Sequence, residues 1–361
     1  MKQKSSWIPH SAARSLLAGL LCCLPTGAVH AQLLFGAFGT ASSTTFQGQA
    51  SAVAGFVMGS GVSLASTGPL LLTGGAQEAS ALEASLAGGL SVGVSHASVV
   101  GGGTIAEAEA SVANVSFTGC AGFPFMATTI TADFVMSRVS APCPNGAALV
   151  AAVEVTGLVI NGQAIAVTGQ ANQFVILSSG GFVIINEQFA GVAGITVNAL
   201  HLIVPCAGAD VVVGSSFAAI TCPSSPPPAG SSPPPCHFVT GGGWITGTPS
   251  GAKANFGVAG GIKDGGFWGH LNYKDHGNGM HVKATAVTGY AVDPDADCRI
   301  IDYVVTIDSQ PGTARVRVCD KGEPGRNDRF EIQLSNGYSA GGDLGGSRPG
   351  GGNIQLHKCH D

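Results

Sequence analysis

Three histidines and an aspartate crowd one stretch of the C-terminal half. His270, Asp275 and His276 precede the turn Gly277-Asn278-Gly279, and His281 follows it. Imidazole nitrogens with carboxylate oxygens suit a transition metal. If the turn runs from Gly277 to Met280, His276 faces His281 across a hairpin; if it ends at Gly279, Asp275 does. Cross-strand Cβ atoms lie about 4.5–5.5 Å apart, near enough to share an ion. His270 shares the face of His276 by the two-residue period of a strand. The simpler reading of all four is solvated, turn-flanking side chains. A second run, Asp293-Pro-Asp-Ala-Asp297, puts Asp293, Asp295 and Asp297 where a calcium loop has its first three ligands. An EF-hand then needs Gly and Glu where this chain has Cys298 and Val304. A looser calcium site, or simply a charged connection between strands, fits the run.

Trp244, Trp268, Tyr273, Tyr290 and Tyr338 offer flat faces on which a sugar ring could stack. The plainer role for them is core filling. Catalytic signatures are poor. Gly342-Asp343-Leu344-Gly345-Gly346 echoes a serine-protease loop, but Leu344 occupies the nucleophile position and cannot attack a carbonyl. There is no His-Glu-x-x-His and no Walker-type phosphate loop. The expectation is a protein with no catalytic residues and no obligate cofactor.

Cysteine placement says where such a chain works. Residues 1–31 read as a signal peptide: Lys2, Lys4 and Arg14, then the apolar run Leu16 to Leu24, then Val29-His30-Ala31 as a cleavage site before Gln32. No transmembrane segment is expected in the mature chain. Eight cysteines follow the leader, with Cys120, Cys143, Cys206 and Cys222 before a Pro/Ser-rich linker at 223–235 and Cys236, Cys298, Cys319 and Cys359 after it. An even four on each side, with no Cys-x-x-Cys, predicts disulfides and a secreted or cell-surface protein. The pairings expected are Cys120–Cys143, Cys206–Cys222, Cys236–Cys359 and Cys298–Cys319.

The linker also divides two compositions. Residues 32–222 hold eight acidic residues, one base (Arg138), and neither Trp nor Tyr; residues 236–361 hold thirteen acidic and twelve basic residues. With a net charge of −5, the chain is no general nucleic-acid binder. Polysaccharide or other surface proteins are the expected partners. Each half is expected to fold on its own, with proteases nicking the linker near 229–232.

Both halves read as strands, so the fold class expected is all-β, with two antiparallel β-sandwich-like domains. A β-solenoid is the alternative for the first. Val153 to Ile160, then Asn161-Gly162, then Gln163 to Val167 spell a hairpin with a type I′ turn. Residues 76–116 alternate small residues with Val, Leu or Glu, which favours strands, although a helix over 76–87 would suit the Ala and Glu there. In the second half, 266–276 and 280–290 form a long hairpin, continued by 300–307, 314–318 and 328–334.

Several stretches resemble a known family. Val159-Ile-Asn-Gly-Gln163, Asn186-Glu187-Gln188, the run Gly194 to Leu202 and Asp210-Val-Val-Val-Gly-Ser-Ser216 resemble the choice-of-anchor P family of exported bacterial proteins. Val239-Thr-Gly-Gly-Gly-Trp-Ile245, the run Gly265 to Tyr273 and the run Gly322 to Phe330 look like the small domain that often follows it. The resemblance implies export, a surface setting and no catalytic residue. Family members carry varied C-terminal sorting signals, and this chain departs from them by showing none.

Overall fold

The computed structural model describes residues 44–358 apart from 121–126, 144–148, 192–193, 223–236, 264, 324 and 348–350. The expected leader and linker, with Cys236 and Cys359, lie outside the described residues. Those described belong to one compact unit made almost wholly of antiparallel strands. The all-β expectation holds, and no described helix is long and apolar enough to cross a membrane.

The first half is a two-layer sandwich rather than a solenoid. One sheet has six described strands in the order Gln173–Ile176, Phe182–Ala190, Gly194–Val204, Ala209–Thr221, Thr45–Val57 and Ser60–Ser66. The other is built on two long strands, Ile105–Gly119 and Thr128–Pro142, flanked by Gly75–Ala81 with Ser95–Gly102 on one side and Val150–Thr156 on the other. Alternate residues of each strand point inward, so Val112, Ile130 and Val135 of one layer meet Val53, Leu200 and Val213 of the other.

Two local expectations resolve here. Residues 76–87 form strands Gly75–Ala81 and Ala84–Leu86, not the alternative helix, because their partners across the sheet satisfy the backbone. Asn161 and Gly162 both take positive φ (50° and 77°), as a type I′ turn needs. Gly157, at φ 63°, breaks the preceding strand, so the hairpin is shorter than its sequence pattern suggests.

The disulfide pairing of this half needs correction. The bridges are Cys120–Cys206 and Cys143–Cys222, not Cys120–Cys143 and Cys206–Cys222. Strand length is the reason. A 15-residue strand, Thr128–Pro142, separates Cys120 from Cys143, and at about 3.4 Å per residue it carries them roughly 50 Å apart. Ala209–Thr221 does the same to Cys206 and Cys222. Each cysteine therefore meets the one from the opposite layer, and the bridges clamp the sandwich at both ends.

The C-terminal half is one antiparallel sheet of nine described strands. Its order is Ser339–Asp343, Arg329–Leu334, Gln310–Cys319, Cys298–Ile307, His281–Val292, Gly266–Asp275, Ala254–Lys263, His237–Ile245 and Gly352–Lys358. The sheet curls until its ends approach: Gly341 N–H donates to Gly247 C=O and Gly345 N–H to Trp244 C=O, both at 2.9 Å. The concave side is filled by Phe256, Tyr273 and Phe330, whose rings stack. Cys298 and Cys319 are directly paired on neighbouring strands and bridged as expected.

Among the described residues no sheet takes strands from both halves, yet the halves meet over a wide seam. The outer face of the sheet carrying Ile105–Gly119 would ordinarily be wet. Here His237–Ile245, Ala254–Lys263, Gly266–Asp275 and Gly352–Lys358 cover it, leaving Glu109 only 2% and His96 only 1% exposed.

Candidate functional site at the seam

The two-residue strand period puts a polar row on that covered face. Glu78 and Ser80, His96 and Ser98, and Glu107 and Glu109 come from three adjacent strands in register, Ser98 standing opposite both Glu78 and Glu109. The charge imbalance between the halves is spent here. Glu78 meets His270, Glu83 meets Lys274, Glu107 meets His357 and Gln355, Glu109 meets Asn353, and Asp133 meets Lys253. In return Arg138, the single base of the first half, pairs with Glu323.

One end of the row is a carboxylate cluster. Glu107 accepts from Arg138 Nη2 at 3.2 Å and from Gln355 Nε2 at 2.9 Å, and lies 3.4 Å from His357 Nδ1. Burial alone would raise the Glu107 carboxyl, but His357 and Arg138 overcome it and hold it at about 2. Glu109 accepts one bond, from Asn353 Nδ2 at 2.8 Å, and its other oxygen has no donor. Burial pushes it up to about 7, and does the same to Glu154 and Asp328 nearby. A cleft of about 740 Å³, walled by Glu107, His357, Lys321 and Asp320, leads to this end from solvent.

The other end is a histidine pair. His96 on Ser95–Gly102 and His270 on Gly266–Asp275 stack with ring centres 5.5 Å apart and planes 23° apart. Glu78 Oε2 lies 2.6 Å from His270 Nδ1. One ligand atom from each of Glu78, His96 and His270 falls within 4.8 Å of the others. Burial, reinforced by His270 and His357, pushes the His96 imidazole well below the usual range, so it is neutral with a free lone pair.

Only His270 of the expected metal ligands belongs to this group. Lys274 stands opposite His281, one residue out of the register that pairs Asp275 with His281 and two out of the register that pairs His276 with it, so neither faces His281. Asp275 is buried and accepts from the Tyr338 hydroxyl at 2.8 Å, while His276 and His281 are exposed. Asp293, Asp295 and Asp297 are not gathered as calcium ligands either. Arg317 donates to both oxygens of Asp293 (3.0 and 3.1 Å), and Lys321 lies 2.7 Å from Asp295 and 3.7 Å from Asp297. Cations already answer these carboxylates.

The five aromatic residues do not make one platform. Trp244 packs on Ala113, Phe134 and Met136 across the seam, with Lys253 Nζ 4.3 Å from its ring centre. Trp268 packs on Phe238, Ala76 and Val100 at another part of the seam. Tyr273 is fully buried, its hydroxyl 2.6 Å from that of Tyr338. Tyr290 is half-buried against the C-terminal core. The rings hold the protein together rather than facing solvent on one surface.

Sequence reasoning passed over His96, an isolated histidine in a strand of small residues whose partner lies beyond the linker. Only the charge imbalance hinted that the two halves cover each other. It also passed over Gly89-Leu90-Ser91-Val92-Gly93, which spells a nucleophile elbow. That motif needs a strand-to-helix turn. Here Ser91 sits inside a strand, opposite Ser85 on one side and Ser116 on the other.

A scan of protein-family models finds no match to this chain, and a search of curated proteins finds none. Among solved structures the chain is similar to kievitone hydratase from Nectria haematococca, at 9% sequence identity and a TM-score of 0.19, covering 79% of this chain and 89% of that one. A likeness at that level carries no argument about activity.

Proposed function

We propose that the chain is an exported, non-enzymatic structural or adhesion protein of the cell surface or extracellular matrix, akin to the choice-of-anchor P proteins it resembles. One observation carries the reading: the outer face of the six-stranded sheet exposes several large apolar side chains around one charged network, Glu187–His201–Asp210. The sheet's register aligns Ile176, Phe182, Ile203, Asp210 and Phe56 in one cross-strand row and Phe174, Ile184, His201 and Val212 in the next, with the His201–Asp210 pair (2.8 Å) set among the apolar side chains. Phe56, Phe174 and Ile176 are 61%, 54% and 78% exposed. Exposed large apolar side chains gathered on one face and bordered by polar residues mark contact with other macromolecules. The edge strand Gln173–Ile176 also presents unpaired backbone groups beside it. Two disulfides clamping the sandwich suit an oxidising compartment and keep the face rigid.

Fractionation of producing cells tests the reading. The wild-type chain is expected oxidised and retained in the surface or matrix fraction. Ile176→Asp combined with Phe174→Ser, both at exposed positions, is expected to release it into the medium with its melting temperature unchanged. A reduced chain in the cytoplasm, or a variant retained as fully as wild type, would sink the proposal.

A further inference from the structure

We propose that Glu78, His96 and His270 form a binding site for one divalent transition-metal ion, of the Zn²⁺ class, that ties the two halves of the protein together. The inference is independent of the surface role and stands or falls on the seam alone.

The first support is an unmet chemical demand. A neutral imidazole has one N–H donor and one lone pair, and both want partners when buried. Both ring nitrogens of His96 and both of His270 are buried without a hydrogen bond, as is Glu78 Oε2. His96 is 1% exposed, so bulk water does not supply what is missing. Four unpaired ring nitrogens side by side do not fit the rule that buried polar groups are satisfied. An ion coordinated between them would use a lone pair of each ring.

The second support is geometry. Glu78 Oε2 and His270 Nδ1 approach to 2.6 Å, yet the contact lacks the alignment of a hydrogen bond. One ligand atom from each of Glu78, His96 and His270 lies within 4.8 Å of the others, close enough to share one ion. Glu78 and His96 are diagonal neighbours on paired strands, since Glu78 stands opposite Ser98 and His96 opposite Ser80. Both therefore project from the same sheet face toward His270. The covering strands lie directly against His96 at two glycines. A Cβ added at Gly242 or Gly257 would meet the Cβ of His96 at 3.4 or 3.5 Å.

The third support is ligand type. Two imidazoles and one carboxylate suit Zn²⁺, Co²⁺ or Ni²⁺, whereas Ca²⁺ and Mg²⁺ take oxygen-only shells. Three protein ligands leave one coordination position of a tetrahedral ion for water. Because two ligands come from one half and one from the other, binding is linked to their association.

The test uses the full chain without an affinity tag, stripped with a chelator and titrated with Zn²⁺ against a chromophoric competitor. One ion per chain is expected, with a rise in melting temperature on loading. Co²⁺ in place of Zn²⁺ is expected to give the intense visible absorption of a tetrahedral site. Glu78→Gln and His270→Gln, at partly exposed positions where the fold tolerates an amide, are each expected to weaken binding at least tenfold. His281→Ala, at an exposed histidine outside the group, is expected to leave binding unchanged. Should the folded wild-type chain bind no Zn²⁺, or should binding survive both Gln variants undiminished, the proposal is overturned. A simple His270–Glu78 ion pair is then the correct description.

Discussion

The two ends of the seam are built from the same strands with the same two-residue period, and they are finished in opposite ways. At the carboxylate end, Glu107 is surrounded by donors: Arg138, Gln355 and His357 all reach it. At the histidine end, no ring nitrogen of His96 or His270 makes a hydrogen bond among the described residues, although Glu78 Oε2 approaches His270 Nδ1 to 2.6 Å. A sheet face buried by a second sheet must have every polar group answered from the covering side. The covering strands answer Glu107 fully through side chains, whereas the four ring nitrogens at the other end are left without a hydrogen bond. The contrast makes the carboxylate end a structural lock and the histidine end a receptor.

The lock breaks most severely at Arg138. Its side chain is 14% exposed and serves both Glu107 and Glu323. Removing one partner of a buried ion pair costs about 3–5 kcal/mol, because the other charge is left unanswered. Arg138→Ala is therefore expected to lower the free energy of unfolding by that order, read from the midpoint of urea denaturation. Arg138→Lys keeps the charge but loses the fork that reaches two carboxylates, and is expected to fall between. If Arg138→Ala unfolds within experimental error of wild type, the lock is not one.

The next effect follows from pH. Glu109, Glu154 and Asp328 have folded values raised to about 7. A raised carboxyl favours the folded state fully below its unfolded value, near 4–4.5, and loses that advantage as pH climbs through about 7. Glu107, held at about 2, works the other way: its contribution is present above 4.5 and lost as pH falls through 2. Stability is expected to peak in mild acid and to decline by about 1–3 kcal/mol for each raised group toward pH 8. Glu109→Gln isolates one of them. Glu109 Oε1 and Asn353 Oδ1 are both buried acceptors with no donor, and an amide at 109 brings the missing N–H at every pH. Melting curves from pH 4 to pH 8 should show a shallower decline in the variant. An unchanged slope would mean that Glu109 is not the group being titrated.

How much of this could be read in the sequence depends on what each residue needs to know. Alternation told which side chains share a strand face, and Asn161-Gly162 told where one hairpin turns, because both are local. The crossed disulfides were not local. Cys120 and Cys143 are near in sequence, but a 15-residue strand between them carries them to opposite ends of the sandwich. The expected metal site failed for a similar reason. Proximity in sequence selected Asp275, His276 and His281 around one turn, and the register that sets Lys274 opposite His281 separated them. His270 found its partners on strands from before the linker instead. Glu107 and Glu109 fall in the alternating stretch 76–116, and the period of a strand cannot say whether water or another sheet lies beyond such a face. The clue that was present is arithmetic: eight acids and one base in the first half need cations from somewhere. The second half supplies Lys253, Lys274, His270 and His357 at the seam.

The smallest expected effect separates the two ends most cleanly, because its sign differs. His96→Leu replaces a buried imidazole by an apolar side chain of similar volume. In the metal-free protein the substitution removes two buried nitrogens that have no partners, and deleting such groups relieves a penalty of about 1–3 kcal/mol. Some of that gain is spent on imperfect packing against Gly242 and Gly257, whose strands close on the histidine. A net stabilisation of about 1 kcal/mol is expected in the presence of chelator. Added Zn²⁺ should then raise the melting temperature of wild type and leave that of His96→Leu where it was. The lock gives the opposite pattern, since no substitution of Arg138 by an apolar residue is expected to stabilise under any condition. If His96→Leu lowers the stability of the chelated protein as far as Arg138→Ala does, the ring nitrogens of His96 are already satisfied. The two ends of the seam would then be the same kind of structure.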